Sequence, residues 1–220
     1  MTALAVLPIK RLDAAKGRLG PTVSAQARRA LAAAMAADVL DALGQVGGLA
    51  GVIAVTGESE VARIAAAAGA ETVEDARDAG QSAAAQLGVA RALARGARHA
   101  LLVPGDCPAL DPAEVEALLA GVVAGASVAV IPDRHGTGTN GLLLTPPDVI
   151  APAFGPNSFD RHVEAARRAG AAVHVERLPS LALDVDTAGD LVALRAALAE
   201  SRAVAPRTRG VLAGVPSDPP

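Results

Sequence analysis

Aromatic side chains are almost absent from this sequence of 220 residues, which contains two Phe and neither Tyr nor Trp. Hydrophobic residues nevertheless make up 51% of the chain. Ala, Val and Leu must therefore form the core, which suits helices packed closely on a parallel sheet. Proteins that bind single-stranded nucleic acids use aromatic stacking platforms and a basic surface. Since the net charge is −3, we expect no nucleic acid partner.

Cysteine and long apolar runs are also scarce. Cys107 is the single cysteine, which excludes an internal disulfide and is typical of a reducing compartment. No His or Lys stands near it in the sequence, so we expect a buried structural thiol. No apolar run is long enough to span a bilayer, and residues 1–9 lack the basic start of a signal peptide. These features predict a cytoplasmic protein with no membrane partner.

Lysine is rare although arginine is common. The 20 basic residues include only two lysines, Lys10 and Lys16, and both lie in the same N-terminal stretch. A compact ammonium group that binds a phosphate would explain why lysine is kept here in an arginine-rich chain. Chance clustering is the alternative.

Apolar runs and helical stretches alternate along the chain. This alternation predicts a three-layer α/β/α fold with a mixed, mainly parallel sheet. Two consecutive strands without a helix between them, at 127–132 and 141–145, predict an antiparallel insertion near one edge. We assign residues 1–200 to one domain and the Arg/Pro/Gly-rich residues 201–220 to a flexible tail outside the fold. The predicted strands are 3–9, 51–56, 70–74, 99–104, 127–132, 141–145, 171–178 and 182–185, and the predicted helices are 25–45, 58–68, 81–95, 112–120, 158–169 and 187–199.

A basic loop follows the first predicted strand. In an open α/β sheet, ligands bind beyond the carboxyl ends of the strands. Lys10, Lys16 and Arg18, with Gly17 among them, could wrap a polyphosphate there. The loop matches neither the Walker A pattern nor the G-x-G-x-x-G pattern of dinucleotide-binding proteins. An ordinary solvated basic loop is the alternative.

Three aspartates also follow predicted strands. Asp106 stands between a Gly and a Cys-Pro pair, and Asp184 and Asp186 alternate near the C-terminus. Alternation in a strand would direct the last two toward one face. Neighbouring like charges are costly unless a cation neutralises them, and Mg²⁺ prefers carboxylate oxygens. The pattern predicts a Mg²⁺ centre; the alternatives are that Asp106 organises a turn and that Asp186 or Thr187 caps the last helix.

Two loops rich in small residues, 133–141 and 154–158, could approach an anion closely. Ser158 opens a predicted helix, and a helix N-terminus favours negative charge. His135 and His162 lie near these loops in the sequence. A surface or helix-face role is the alternative for both histidines.

Taken together, these motifs resemble those of the CofC/FbiD guanylyltransferases. That family belongs to the nucleotidyltransferase superfamily that includes the molybdopterin guanylyltransferases. The resemblance spans residues 3–199 and keeps the order of the motifs. The motifs are Pro8-Ile9-Lys10 with Ala15-Lys16-Gly17-Arg18-Leu19, then Gly105-Asp106-Cys107-Pro108, Gly138-Thr139-Asn140, Phe154-Gly155-Pro156-Asn157-Ser158 and Leu183-Asp184-Val185-Asp186-Thr187.

The resemblance implies a nucleotide-diphospho-sugar transferase (GT-A-like) fold and a Mg²⁺-dependent nucleotidyltransferase of coenzyme F-420 biosynthesis. Such an enzyme joins GMP from GTP to a small three-carbon phospho-acid and releases pyrophosphate. The acid is phosphoenolpyruvate, 2-phospho-L-lactate or 3-phosphoglycerate, and the Arg/Ala-rich composition favours phosphoenolpyruvate. A downstream transferase that uses the unstable product is the implied protein partner.

The resemblance also implies a role for individual residues. Basic residues would hold the GTP phosphates, aspartates would bind Mg²⁺, and small or hydroxyl residues would hold the acid. At Gly80-Gln81-Ser82, where relatives commonly read Gly-Leu-Asn, the contact with the nucleotide stays open. The implied residues are Lys10, Lys16, Arg18 and Asp106 for catalysis, Asp106, Asp184 and Asp186 for the metal, and Thr139, Asn140, Gly155 and Ser158 for the acid.

The sequence leaves three other functions open. A nucleotidyltransferase acting on a sugar phosphate or on molybdopterin would share the same motifs. A glycosyltransferase is suggested by the D-x-D pattern at 184–186. A non-catalytic nucleotide-binding module would leave the three aspartates unexplained.

Overall fold

Seven strands form a single sheet in the computed structural model, which describes residues 2–12, 16–19, 23–122, 125–200 and 204–215. The strands are β1 (Ala3–Pro8), β2 (Leu49–Thr56), β3 (Glu71–Glu74), β4 (His99–Leu102), β5 (Ser127–Pro132), β6 (Thr139–Thr145) and β7 (Ala172–Val175). The helices are α1 (Ala25–Gln45), α2 (Ser59–Ala67), α3 (Gln81–Ala94), α4 (Pro112–Ala120), α5 (Ser158–Arg168), α6 (Ala188–Glu200) and α7 (Pro206–Leu212), with a short 3₁₀ turn at Gly17–Leu19.

The sheet is mixed and mainly parallel, as predicted. Its strand order is β3-β2-β1-β4-β6-β5-β7. β6 pairs antiparallel with both β4 and β5, whereas the other strand pairs are parallel. The predicted antiparallel strand is therefore present, with β5 and β7 between it and the edge. The carboxyl ends of β1, β4 and β5 consequently meet at one side of the sheet.

Alternating residues of each strand face two separate apolar layers. On β1, Leu7 packs in the layer that contains α1 and α4, and Val6 packs in the layer that contains α3 and α5. This follows from the two-residue period of a strand. Both faces of the sheet are covered, which confirms the predicted three-layer α/β/α arrangement.

Gly88 allows α3 to lie very close to the sheet. A Cβ atom built on Gly88 would stand 2.2 Å from Cγ1 of Val6 and 3.0 Å from Cγ2 of Val55. Any larger residue would therefore push the helix away from β1 and β2. The low aromatic content fits this close packing, because small side chains fill the narrow space between the layers.

A third apolar cluster joins α1, α6 and α7. Leu212 and Val215 are buried there against Met35 of α1 and Leu194 of α6. The prediction that the residues after 200 lie outside the fold is therefore wrong for residues 204–215. Their Arg/Pro/Gly-rich composition suggested a tail, yet a few apolar residues suffice to dock a short helix. Residues 201–203 and 216–220 lie outside the described part of the chain.

A buried carboxylate fixes the start of α7. Asp38 of α1 is only 4% exposed, and its Oδ2 accepts a hydrogen bond of 2.7 Å from the backbone N–H of Thr208. Its Oδ1 accepts a second bond, of 3.2 Å, from the N–H of Arg207. Asp38 thus satisfies N–H groups that a helix N-terminus leaves without partners.

The predicted strand at 182–185 is wrong, since these residues form neither strand nor helix. Val185 is nevertheless fully buried in the third cluster. Burial of this side chain helps to hold the segment in place without strand pairing. None of the helices in the described parts of the chain is both long enough and apolar enough to cross a membrane.

Candidate active site

An open cleft of about 850 Å³ lies at the carboxyl ends of β1 and β4. The loops after these strands form one side of the cleft, and the segments around β6 and the start of α5 form the other. This is the side of an α/β sheet where ligands bind. All the residues predicted for the site line this cleft: Lys10, Lys16, Arg18, Asp106, Thr139, Asn140, Gly155, Ser158, Asp184 and Asp186.

Lys16 lies between two of the predicted metal ligands. Its Nζ atom is 2.5 Å from Oδ2 of Asp106 and 3.1 Å from Oδ1 of Asp186. The Lys16 side chain is only 6% exposed. Burial by itself would lower the pKa of Lys16, but the two carboxylates outweigh this effect and raise the pKa. Lys16 is therefore a charged ammonium group held inside the cleft.

The other two cations lie at the rim. The side chain of Arg18 is 77% exposed, and its Nη1 is 3.6 Å from Oδ2 of Asp186. Lys10 is also exposed. An incoming polyphosphate would meet these two side chains first, whereas Lys16 is already engaged with carboxylates.

Asp184 is held by Asn140. Nδ2 of Asn140 donates hydrogen bonds to Oδ1 of Asp184 at 3.1 Å and to the carbonyl oxygen of Leu181 at 2.9 Å. Burial and the negative charges of Asp106 and Asp186 raise the pKa of Asp184, although the bond from Asn140 acts in the opposite direction. A cation beside these three carboxylates would relieve that repulsion.

The loop that carries Asp184 and Asp186 is anchored by Asp190. Oδ2 of Asp190 accepts hydrogen bonds from the backbone N–H of Asp186 at 3.0 Å and of Thr187 at 2.7 Å, and from the Thr187 hydroxyl at 2.8 Å. Its other carboxylate oxygen pairs with Arg134. These groups hold the pKa of Asp190 below its ordinary value, against the effect of its burial.

Asp190 was not singled out from the sequence, although a signal was present. Thr187 and Asp190 form a reciprocal capping box at the start of α6, since the N–H of Asp190 donates to the Thr187 hydroxyl at 3.3 Å. The spacing T-x-x-D before an apolar run is the pattern of that motif. The proposed cap at Thr187 is confirmed, and Asp186 stays directed at the cleft.

The carboxylates suit a hard divalent cation in their chemistry. Oδ1 of Asp106 is buried and has no hydrogen-bond partner among the described residues, so it is available as a ligand. Oxygen ligands of this kind are preferred by Mg²⁺. No group of three His, Cys, Asp or Glu side chains within the described residues is gathered closely enough to hold a metal ion. The ammonium of Lys16 occupies the space between Asp106 and Asp186, so a metal ion there would require Lys16 to move.

The opposite end of the cleft is built from small residues. Gly155 has a φ of +112° and Asn157 a φ of +55°, and this turn leads directly into α5 at Ser158. At Gly138 a Cβ atom would stand 2.6 Å from Oδ2 of Asp133. Oδ1 of Asp133 accepts hydrogen bonds from the N–H groups of His135 and Thr137, which shapes the loop before β6.

His162 lies behind this end of the cleft and is fully buried. Its Nδ1 is 3.0 Å from Oγ1 of Thr139, and its Nε2 accepts a 2.8 Å hydrogen bond from the N–H of Ala153. Burial, together with the neighbouring charge of Arg161, lowers the pKa of His162 to about 4. The sequence placed His162 near the anion-accessible loops, with a helix-face role as the alternative, and did not identify its contact with Thr139. His135, by contrast, is exposed and does not line the cleft.

The remaining predictions concern Cys107 and the start of α3. Cys107 is buried, and its Sγ donates to the carbonyl oxygen of Leu181 at 3.5 Å. The predicted burial of this thiol is confirmed, and burial together with the nearby carboxylates raises the pKa of the thiol well above the ordinary value. Gln81, the first residue of α3, lines the cleft, and Oγ of Ser82 donates to the carbonyl of Phe154 at 3.4 Å. The start of α3 therefore forms a wall of the cleft.

Similarity to known proteins agrees with this arrangement. The family described as "Guanylyl transferase CofC like" matches residues 3–198. A phosphoenolpyruvate guanylyltransferase of Conexibacter woesei is 46% identical over 213 residues, which cover 96% of this chain and 96% of that protein.

Solved structures show the fold. A chain from Desulfovibrio desulfuricans G20 assigned as a nucleotide-diphospho-sugar transferase has a TM-score of 0.71 at 18% identity, covering 95% of this chain and 97% of that one. Glucosyl-3-phosphoglycerate synthase from Mycobacterium tuberculosis, in complex with Mg²⁺ and uridine diphosphate, has a TM-score of 0.55 at 14% identity, covering 80% of this chain and 69% of that one. These likenesses confirm the predicted nucleotide-diphospho-sugar transferase fold.

Proposed function

We propose, since this chain belongs to the family of CofC-like guanylyl transferases, that it transfers GMP from GTP to phosphoenolpyruvate and releases pyrophosphate. One observation carries the proposal: a single cleft places cations and carboxylates at one end and small anion-accessible loops at the other. The choice of acid is supported by the 46% identical relative that is named for phosphoenolpyruvate.

The reaction requires little covalent chemistry from the protein. An oxygen of the phosphate group of the acid attacks the α-phosphorus of GTP. A new phosphorus–oxygen bond forms, and the bond from the α-phosphorus to the bridging oxygen breaks, so pyrophosphate leaves with that oxygen. A phosphomonoester has its second pKa near 6, so the nucleophile is already largely ionised at neutral pH. No general base is needed, and positioning and charge neutralisation provide the rate enhancement.

The residues divide between the two substrates. Lys10 and Arg18, which are exposed at the rim, would bind the triphosphate. Thr139, Gly155 and Ser158 would bind the phospho-acid at the other end. This division would place the α-phosphorus beside the aspartates, because Asp184 is bonded to Asn140, the neighbour of Thr139.

Mg²⁺ is the cofactor that we propose for the aspartates. Asp106, Asp184 and Asp186 would hold it, with Asn140 orienting Asp184. When bound, the ion would neutralise charge on the GTP phosphates. The presence of Mg²⁺ in glucosyl-3-phosphoglycerate synthase, a protein of the same fold, is in keeping with this choice.

A screen of pyrophosphate release tests the proposal. Each of the four nucleoside triphosphates is paired with phosphoenolpyruvate, 2-phospho-L-lactate, 3-phosphoglycerate or glucose 1-phosphate, with and without Mg²⁺. We expect release with GTP and phosphoenolpyruvate in the presence of Mg²⁺. Release with glucose 1-phosphate alone would favour a sugar-phosphate nucleotidyltransferase, and no release with any pair would favour the non-catalytic module.

The biological setting is also a proposal. The family resemblance implies that the product is an early intermediate of coenzyme F-420 biosynthesis and passes to a downstream transferase. The test is an assay that couples this reaction to that transferase and its own acceptor. One GMP should be released for each molecule of the product that the transferase consumes.

A further inference from the structure

His162 lies behind the end of the cleft where we propose that the phospho-acid binds. From the interior of the protein it contacts Thr139, which lines the cleft. We infer that His162 is a positioning residue that fixes the Thr139 hydroxyl as a hydrogen-bond donor toward the phospho-acid. This inference rests on the proposed function for the identity of the acid. Its geometry concerns the protein alone.

The hydrogen bonds of His162 select one tautomer of its ring. A backbone N–H can only donate, so Nε2, which receives the N–H of Ala153 at 2.8 Å, carries no hydrogen. A neutral imidazole then has its hydrogen on Nδ1. That hydrogen points to Oγ1 of Thr139 at 3.0 Å. The direction of the second bond therefore follows from the first.

The neutral state is enforced by the surroundings of the ring. His162 is fully buried, and its ring and that of Phe154 form a T-shaped pair with a centroid distance of 5.2 Å and an interplanar angle of 72°. Arg161, the preceding residue, adds a positive charge nearby. Both factors oppose a second proton on the ring, so Nε2 stays an acceptor near neutral pH.

The consequence for Thr139 is a defined polarity. Once Oγ1 accepts the hydrogen of Nδ1, the hydroxyl hydrogen of Thr139 is free to donate elsewhere, and no other partner of Oγ1 occurs among the described residues. Thr139 also lines the cleft. Ionised phosphate and carboxylate groups have no hydrogen to donate, so they can only accept a hydrogen bond from the Thr139 hydroxyl. The opposite tautomer would turn the oxygen lone pairs of Thr139 toward the anion and would repel it.

The same ring also connects the three segments of the acid site. Thr139 begins β6, Ala153 precedes the turn at Gly155, and His162 itself lies one helical turn after Ser158 on α5. Residues four apart on a helix share a face. One imidazole thus sets the spacing between Thr139, the turn at Gly155 and the start of α5.

Two variants separate the two hydrogen bonds. His162→Asn places an amide N–H where Nδ1 was and keeps the donor to Thr139, but it does not reach Ala153. His162→Gln places an amide oxygen where Nε2 was and keeps the acceptor for Ala153, but it leaves Thr139 without its donor. The hydrogen bond from the Thr139 hydroxyl would go to a charged group of the phospho-acid. Loss of such a bond should weaken the affinity for the acid roughly tenfold or more.

The wild-type protein is assayed first with GTP, phosphoenolpyruvate and Mg²⁺. Failure of that reaction would overturn the proposed function, without bearing on the tautomer. If the reaction proceeds, we expect His162→Gln to raise the KM for phosphoenolpyruvate at least about tenfold, while the KM for GTP stays within about twofold. His162→Asn should keep the KM for phosphoenolpyruvate much closer to that of the wild type. Equal loss in both variants, or parallel changes of both KM values, would overturn the inference.

A double-mutant cycle tests whether His162 acts through Thr139. Thr139→Val removes the hydroxyl, so adding His162→Gln to it should produce no further rise in the KM for phosphoenolpyruvate. Thr139→Ser keeps the hydroxyl and serves as the matched control. Additive effects of the two substitutions would show that His162 acts independently of Thr139.

Nuclear magnetic resonance gives a readout that does not depend on activity or on the variants folding. In ¹⁵N-histidine-labelled wild-type protein, the ring of His162 should carry its hydrogen on Nδ1 and none on Nε2. A hydrogen on Nε2 instead would overturn the inference directly.

Discussion

The ammonium nitrogen of Lys16 lies 2.5 Å from Oδ2 of Asp106, although the two residues are 90 positions apart in the chain. The same nitrogen is 3.1 Å from Asp186. A buried cation between two carboxylates neutralises charges that would otherwise repel each other. Lys16 therefore neutralises two of the carboxylates that we propose as ligands of Mg²⁺.

Replacing Lys16 by methionine should change two affinities in opposite directions. The variant loses a cation that competes for the carboxylates, so Mn²⁺, used as a spectroscopic probe for Mg²⁺, should bind the nucleotide-free protein at least about tenfold more tightly. The KM for GTP should rise, because a charge available to the triphosphate is gone. Electron paramagnetic resonance of free Mn²⁺ and steady-state kinetics measure the two effects. Lys10→Met, which removes an exposed lysine without an ion pair to these carboxylates among the described residues, is the control for the Mn²⁺ affinity alone. Unchanged Mn²⁺ affinity in Lys16→Met would contradict the competition.

Asp106→Asn and Asp186→Asn should each lower the rate of pyrophosphate release at least about a hundredfold, since each removes a negative charge that positions a cation at the reacting phosphates. Circular dichroism and thermal melting should show that both variants remain folded. Asp148→Asn provides the comparison, because Asp148 is exposed and lies outside the cleft. Near-normal turnover in both active-site variants would rule out the proposed metal centre.

The buried His162 should make the protein less stable as the pH falls from 6.5 toward 4. Its pKa falls from 6.5 in an unfolded chain to about 4 in the folded protein, so in this window the unfolded chain binds a proton that the folded protein does not. The free energy of unfolding then decreases by up to about 1.4 kcal/mol per pH unit. Urea unfolding at several pH values measures the slope. His162→Asn should have a smaller slope than the wild type, whereas His135→Asn, which removes an exposed histidine, should keep it.

The docking of α7 should depend on Asp38. Asp38→Ala removes the two hydrogen bonds to the start of the helix and should lower the free energy of unfolding by about 1–2 kcal/mol, as expected for the loss of a cap. Activity at temperatures below the transition should be unchanged. The matched control is Asp41→Ala, one turn along the same face of α1, which removes only an exposed ion pair with Arg207. Equal effects of the two substitutions would mean that the cap contributes nothing beyond a surface charge pair.

Local sequence patterns predict the buried strands of this protein and the edge of the sheet at which the site lies. Continuous apolar runs such as the one before Asp106 identify buried parallel strands, and the polar residues that follow them must reach the same edge of the sheet. This is why Asp106 and the basic loop after β1 could be placed in one site from the sequence alone. Asp186 lies in the same cleft, although the strand predicted before it is absent. Their mutual arrangement, with the ammonium between the carboxylates, depends on loop conformations that no periodic pattern specifies.

The features that sequence reasoning missed depend on long-range contacts. His162 gains its role from Thr139 and Ala153, which lie on two other segments. The segment around Val185 is held by burial in a distant cluster rather than by strand pairing. Helix α7 is fixed by Asp38, about 170 residues away in the chain. In each case the deciding contacts come from other elements of the fold, so a pattern within one segment cannot reveal them.

Gly88 links the packing of the sheet to the shape of the cleft wall at the start of α3. Seven residues, or two helical turns, separate Gly88 from Gln81, the residue of α3 that lines the cleft. The absence of a methyl group beside Val6 therefore determines how far the wall at Gln81 reaches inward. A selective pressure on the shape of this cleft would act partly on a residue that does not line it.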